Sequence, residues 1–346
     1  MFTNLGSFYK TVTGKRLLIV YHHPCADGSL AAAIVALWIR KHSETGIDAT
    51  YAGHYHSKVW EDEWSHVNMD EIDLIVFLDV APTYNDGLRL TSTLQKPMLV
   101  IDHHEGLGDD LERMVNEGMD VQVVYGDHDS GASLTWVVTQ EDVYSEEWTE
   151  ARFAACPPLV RIVRARDLWT FDQDPALGSP EELKGIAEAL YLTTATTPEG
   201  MEHRLLQAEE GLLVELKTNA AMARNMLDIY CGKMAAEARK TSFKPGLGLD
   251  TSLAFYTVNC PHFLTSVMGE YLDKHGVNDC DFYLLWAKNE ASNAYGTSLR
   301  KPVASDLDLS VLAKSMASVV GGSGGGHVRA AGHRLLPGQW WDQIIH

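Results

Sequence analysis

The chain has 346 residues, 45% of them hydrophobic, with 47 acids against 28 bases and a formal charge of −19. That length suits about two domains with proper cores. The acidic balance argues against a protein that grips long duplex nucleic acid, which is held through many Lys and Arg contacts. The longest apolar stretch, residues 30–39, falls short of the roughly 20 residues that a membrane-spanning helix needs. Residues 1–16 lack the pattern of a signal peptide, so a cytoplasmic location with no membrane partner is expected.

The apolar run at 17–21 reads as a buried strand leading into His22-His23-Pro24-Cys25-Ala26-Asp27-Gly28. Residues 29–42 have helical spacing, with Asp27-Gly28 as the turn before them. Strand patterns at 72–79, 98–102 and 121–125 leave room for crossover helices, and Ser130-Gly131-Ala132-Ser133 opens another helix. Such alternation predicts a parallel α/β sheet. From 180 to 240 the pattern is helical, with 202–239 as one long helix or two, until Lys244-Pro245-Gly246 breaks it. A second α/β unit follows, with strands at 253–258, 282–286 and 294–299 and helices at 261–274 and 309–319. The expected architecture is α/β with two lobes joined by a helical connector and an active site in the cleft.

Chemistry concentrates where strands end. Asp102-His103-His104 follows one apolar run and Asp79 another, His23 and Asp27 follow the first, and Asp167 follows the mixed stretch 159–166. Each taken alone is an ordinary way to end an element. Parallel strands, however, bring their carboxyl ends to one edge. Two histidines and three aspartates could gather there and bind two divalent cations about 3.5–4 Å apart, an apparatus that hydrolyses phosphate esters. Bound cations would let an acidic protein take a small anionic substrate.

The glycine tract 321–326, ahead of His327 and Arg329, reads as a flexible linker or as a loop offering N–H groups to phosphate. The lack of a polar spacer before Val328-Arg329-Ala330-Ala331-Gly332-His333 favours the loop. Five cysteines with no Cys-x-x-Cys pair indicate neither a disulfide framework nor structural zinc. His22, His54, His56, His128 and Asp129 read as ordinary surface or turn residues. Most of the nine tryptophans belong in the core, although such rings can also stack bases.

The order of these motifs resembles the DHH family of phosphoesterases with its DHH-associated C-terminal domain. His23-x-x-x-Asp27-Gly28, Asp79, Asp102-His103-His104 and Asp167 resemble its four metal motifs, with Ser130-Gly131-Ala132-Ser133 between the last two. Ser298-Leu299-Arg300 and Gly324-Gly325-Gly326-His327-x-x-Ala330-Ala331-Gly332 match its substrate-binding segments. The similarity covers nearly the whole chain and is weakest in the connector.

The resemblance implies a catalytic metal-binding domain at 1–185, the connector at 186–245 and a substrate-binding domain at 246–346. His23, Cys25, Asp27, Asp79, His103 and Asp167 would hold two divalent metals, with Asp79 as the bridge. Manganese is the first expectation, with magnesium or zinc as alternatives. His104 would act on the reacting phosphate beside Asp79, with Asp102 orienting the pair. Ser130, Gly131, Ser298, Arg300, Gly324, Gly325, Gly326, His327 and Arg329 would hold substrate.

The implied reaction is two-metal hydroxide hydrolysis of phosphodiester or phosphomonoester bonds in short oligonucleotides, dinucleotides or pAp-like nucleotides. Polyphosphate or pyrophosphate is the alternative substrate, and a homodimer is compatible. Cys25 departs from the pattern, since many members carry an aspartate there. It ligates as a thiolate, stands aside, or leaves a protein that binds nucleotide without turnover.

Overall fold

The computed structural model describes residues 2–54, 60, 64–104, 106–126, 128–140, 155–289, 294–326, 328–335, 339 and 344–346. They form two compact units, Met1–Arg224 and Asn225–His346.

In the first unit, near-continuous Val, Ile and Leu runs build strands buried on both faces, as a helix-covered parallel sheet requires. Strands β2 (Arg16–His22), β3 (Asp48–His54), β4 (Leu74–Leu78), β5 (Met98–Asp102) and β6 (Val121–Tyr125) are parallel. A short β1 (Phe2–Thr3) adds antiparallel to β6, in the order β1-β6-β5-β4-β2-β3. Leu17 and Ile19 of β2 enter one core and Leu18 and Val20 the other, so a one-residue slip would exchange the two faces. Burying each such Leu, Ile or Val stabilises the fold by about 1.5–3 kcal/mol. The polar edge strand β3 escapes the sequence pattern because most of it is only partly buried.

Helices cover both faces. Helices α2 (Ala26–Lys41), α5 (Gly131–Gln140) and α6 (Pro158–Asp167) share one core, and α3 (Tyr84–Leu94) and α4 (Gly108–Asn116) pack into the other; α1 (Phe8–Val12) joins the first. Asp27 and Gly28 lie in the first turn of α2 rather than in a turn before it. Asp167 ends a helix, whereas the sequence reading set it at a strand end with the others.

The strand order reverses at β2. The chain moves from β2 to β3 on one side and returns to β4 on the other. Open α/β sheets bind ligands at such reversals, outside the carboxyl ends of the strands.

Residues 186–245, expected as the connector, are largely helical. Helix α7 (Pro180–Thr193) opens with a Ser179/Glu182 capping box and Pro180 in its first turn. It packs Leu183, Ile186 and Leu190 into the same core as Leu17. Helices α8 (Pro198–Leu205) and α9 (Glu209–Ala235) replace the expected 202–239 segment. The boundary between units falls inside α9, with Leu212 and Leu216 in the first unit's core and Leu227 and Cys231 in the second's.

The second unit is a mixed sheet. Strands β7 (Arg239–Ser242), β8 (Ala254–Asn259), β9 (Phe282–Asn289), β10 (Ala294–Arg300), β11 (Ser323–Gly326) and β12 (Ala330–Arg334) take the order β11-β12-β10-β9-β8-β7, parallel only between β8 and β9. Alternating residues divide the faces. Phe282 and Leu284 pack with Leu312 and Met316 of α11 (Leu309–Val320), and Tyr283 and Leu285 with Met268 and Leu272 of α10 (Thr265–Lys274).

The expected phosphate loop is strand β11, and packing accounts for most of its glycines. A Cβ on Gly322 would lie 1.9 Å from the Arg334 oxygen, on Gly324 2.2 Å from the Ala313 oxygen, and on Gly326 2.5 Å from the Ala331 Cα. Only Gly325 of this set has open space beside it. His327 lies outside the described residues. Among those described, no helix is long and apolar enough to cross a membrane.

His333, buried in β12, donates through Nε2 to the Gly321 carbonyl at 2.9 Å, and burial lowers its pKa. The unfolded chain therefore takes up this proton first, at an ordinary value of about 6.5. His333's pH-dependent contribution is present above that value and is lost as pH falls through the depressed folded value. Thermal melts from pH 8 to 5 should show a steeper acid loss for the native chain than for His333→Gln. Parallel profiles would contradict this assignment.

Candidate metal centre

Parallel pairing carries the ends of β2, β4 and β5 to one edge, and with them His22, Asp79 and Asp102-His103-His104. The buried Asp27 carboxylate accepts from the Gly131 N–H at 2.6 Å and the Ala132 N–H at 3.1 Å. These donors open α5, where helix geometry leaves N–H groups without intrahelical partners.

His103 Nε2 stands among three carboxylates, 3.1 Å from Asp79, 3.3 Å from Asp167 and 3.8 Å from Asp27. Asp79 turns Oδ1 to His103 and Oδ2 to His22 Nδ1, the latter at 3.3 Å. Its backbone is left-handed, with φ 57°, a conformation that Asp adopts more readily than most residues. Among the described residues, the candidate ligand atoms form three overlapping groups, each within 4.8 Å. These are His22, Cys25 and Asp79; Asp79, His103 and His104; and Asp27, His103 and Asp167. Two ligands bound to one ion at about 2.0–2.2 Å stand roughly 3.3 Å apart at a tetrahedral angle. The closest spacings here match that value.

The electrostatics point the same way. Burial, then repulsion from Asp79 and Asp167, holds the Asp27 carboxyl well above its ordinary range. Asp167 is raised by burial and by Asp79 against the pull of His103. Its residue is open to solvent mainly through the main chain, the side chain being 22% exposed. For Asp79, burial is outweighed by the His103 and His22 hydrogen bonds, which hold it well below its ordinary range.

Burial also disfavours charge on His103, yet the surrounding carboxylates raise it well above its usual value. His104 is raised to about 9, Asp102 outweighing burial across the 2.8 Å contact to its Nδ1. Burial and the three carboxylates push the Cys25 thiol well up. Packed carboxylates compete for compensating positive charge, which divalent cations would supply at these positions. The donor set fits a pair of such ions.

Close backbone approach fixes the site. A Cβ on Gly28 would fall 2.4 Å from the His22 oxygen, and one on Gly131 2.5 Å from the Asp79 Cβ. Asp129 is buried, its carboxylate 3.4 Å from Arg164 Nε on the helix that carries Asp167. It is a buried ion-pair partner rather than an exposed turn residue.

Asp27, Cys25, Asp79, His103, His104 and Asp167 lie together in these groups. His22, read from sequence as a surface residue, stands in one of the candidate groups. The His23 ring packs edge-on to Tyr21, 5.9 Å between centroids, outside the three groups. Alternation along β2 shows only that residues 22 and 23 face opposite sides, so no local signal chooses between them. Ser130 and Gly131, expected on substrate, both contact the Asp27 carboxylate. In the second unit, Arg300 Nη1 donates to buried Ser298 at 2.6 Å and Nη2 to Ser266 at 3.2 Å, and Arg329 is exposed.

Helix α6 ends in a Schellman-type turn, with Leu168 N–H on the Arg164 oxygen and Thr170 N–H on the Ala165 oxygen. Trp169 holds its left-handed position, φ 58°, where glycine is usual and an L-residue pays about 1–2 kcal/mol.

Residues 264–339 match the DHHA1 domain. No curated protein matches the chain. Among solved structures, it resembles RecJ in complex with Mn2+ from Thermus thermophilus (16% identity, 94% of this chain, TM-score 0.50), spanning only 51% of that chain. It also resembles an exonuclease RecJ bound to manganese (17% identity, 94% of this chain and 88% of that one, TM-score 0.49). CDC45 from Entamoeba histolytica aligns at 8% identity over 93% and 92% of the two chains, with TM-score 0.49. The family match is confined to residues 264–339, and over 94% of its length the chain shares the fold of the Thermus RecJ.

Proposed function

We propose that the chain is a two-metal phosphoesterase that hydrolyses phosphodiester or phosphomonoester bonds in short oligonucleotides, dinucleotides or pAp-like nucleotides. The observation that carries this reading is Asp79, whose two oxygens face two different histidines at 3.1 and 3.3 Å. Asp27, His103 and Asp167 would hold one cation, and His22, Cys25 and Asp79 the other. Manganese, held by the Thermus RecJ of this fold, is the first candidate, with magnesium and zinc next. Bound there, the ions supply charge for the phosphate oxygens and lower the pKa of water.

The remaining roles belong to the chain. His104, whose pKa Asp102 raises, can donate a proton to a leaving oxygen. Asp102 fixes the ring through Nδ1. In the second unit, Ser298, Arg300 and the glycine strand are the proposed substrate-holding groups. A 5′-labelled dinucleotide should be cleaved to mononucleotides with manganese and remain intact with EDTA. Cleavage of tripolyphosphate alone would contradict the nucleotide assignment.

Cys25 is proposed as a ligand. Cys25→Asp replaces a soft donor with a hard one and should tighten manganese binding about tenfold or more while weakening zinc selectivity. Calorimetric titration of both metals checks this. Unchanged affinities would show that residue 25 is not a ligand.

A further inference from the structure

The turn after Asp167 carries features that metal binding does not use. Trp169 is 44% exposed, whereas Trp38, Trp60 and Trp64 are buried. Its left-handed backbone position is one that glycine would fill without strain, so the indole sits there against backbone preference. Beneath this exposed ring the Arg166 side chain is only 9% exposed. Its guanidinium carbon lies 5.1 Å from the ring centres of both Trp169 and Tyr191. Among the described residues, Arg166 Nη1 is buried without a hydrogen-bond partner.

A buried guanidinium donor left unmet is costly, and its planar fork suits phosphate. Lys184 Nζ adds a second cation 5.7 Å from the indole centre. The group lies beside the metal centre, since Arg166 directly precedes Asp167 and the Tyr191 hydroxyl feels the charges of Cys25, Asp167 and Asp27.

We propose that this turn is a nucleotide subsite in which Trp169 stacks the base and Arg166 Nη1 donates to a phosphate of the same nucleotide. It rests on the phosphoesterase reading and deepens it, because it selects substrates that carry a base over inorganic chains of phosphate. Packing of Arg166 between two rings could by itself serve only the fold. The variants separate the two roles, since Trp169→Gly removes the stacking surface while relieving the left-handed backbone, and Trp169→Phe keeps an aromatic face.

The test is calorimetric titration of the full chain, with manganese present, using 5′-AMP and ribose 5-phosphate as probes. The native protein should bind 5′-AMP more tightly than ribose 5-phosphate. Trp169→Gly should weaken 5′-AMP about 5- to 150-fold, the worth of one stacked base, and leave ribose 5-phosphate unchanged. Trp169→Phe should recover most of the loss, and Arg166→Gln should weaken both probes. The subsite is overturned if native protein binds the two probes alike, if Trp169→Gly retains native 5′-AMP affinity, or if it weakens both probes equally. Parallel assays for dinucleotide cleavage keep the readings separate. Base-dependent binding without any metal-dependent cleavage sinks the phosphoesterase and leaves the subsite standing.

Discussion

Asp79→Asn is expected to reduce manganese-dependent hydrolysis about a thousandfold or more with the fold intact. The carboxylate lies between His22 and His103, one histidine from each proposed cation position. Its loss should weaken both cation positions together. Metal-centred charge stabilisation is worth several kcal/mol, and each 1.36 kcal/mol is a factor of ten in rate. Asparagine also visits the left-handed region, so φ 57° at this position is no obstacle to folding. Steady-state kinetics should be read beside thermal melts and metal titrations. A variant that keeps more than a tenth of native turnover would remove Asp79 from the centre of the mechanism.

Gly131→Ala should be nearly as damaging through a single methyl group. Its Cβ would lie 2.5 Å from the Asp79 Cβ and 2.8 Å from its Cα, so a chain segment rather than a flexible tip must move. Helix α5 cannot retreat freely, because the Gly131 and Ala132 N–H groups hold Asp27. Overpacking of this kind costs about 1–3 kcal/mol of stability. Misplacing two ligands should lower kcat/KM about a hundredfold. A native-like rate, measured in protein shown to be folded, would mean that the contact is not constraining the site.

The legibility of this chain follows from where its signals are local. Apolar runs such as Leu74–Leu78 and Met98–Asp102 declare buried parallel strands, and the residues that follow them occupy one sheet edge. Asp79, Asp102, His103 and His104 could therefore be read from the sequence. The choice between His22 and His23 could not, because adjacent residues at a strand end differ only in the direction they face. The role of Ser130 and Gly131 also lay beyond local pattern, since it depends on Asp27, more than a hundred residues earlier.

The glycine tract has a packing role that the sequence does not display. Glycine serves close packing of backbone on backbone as readily as approach to a ligand, and here Gly322, Gly324 and Gly326 meet backbone atoms of the fold. Strand β3 was hidden by its polar edge position. Asp167 was expected at a strand end with the other acids, yet a helix delivers its carboxylate to the same histidine.

The most direct test is a crystal of the full chain grown with manganese, with diffraction collected above and below the manganese absorption edge. Two anomalous peaks are expected, one among Asp27, His103 and Asp167 and one among His22, Cys25 and Asp79, with an Asp79 oxygen facing each. No peak, or a single ion away from Asp79, would contradict the two-metal assignment.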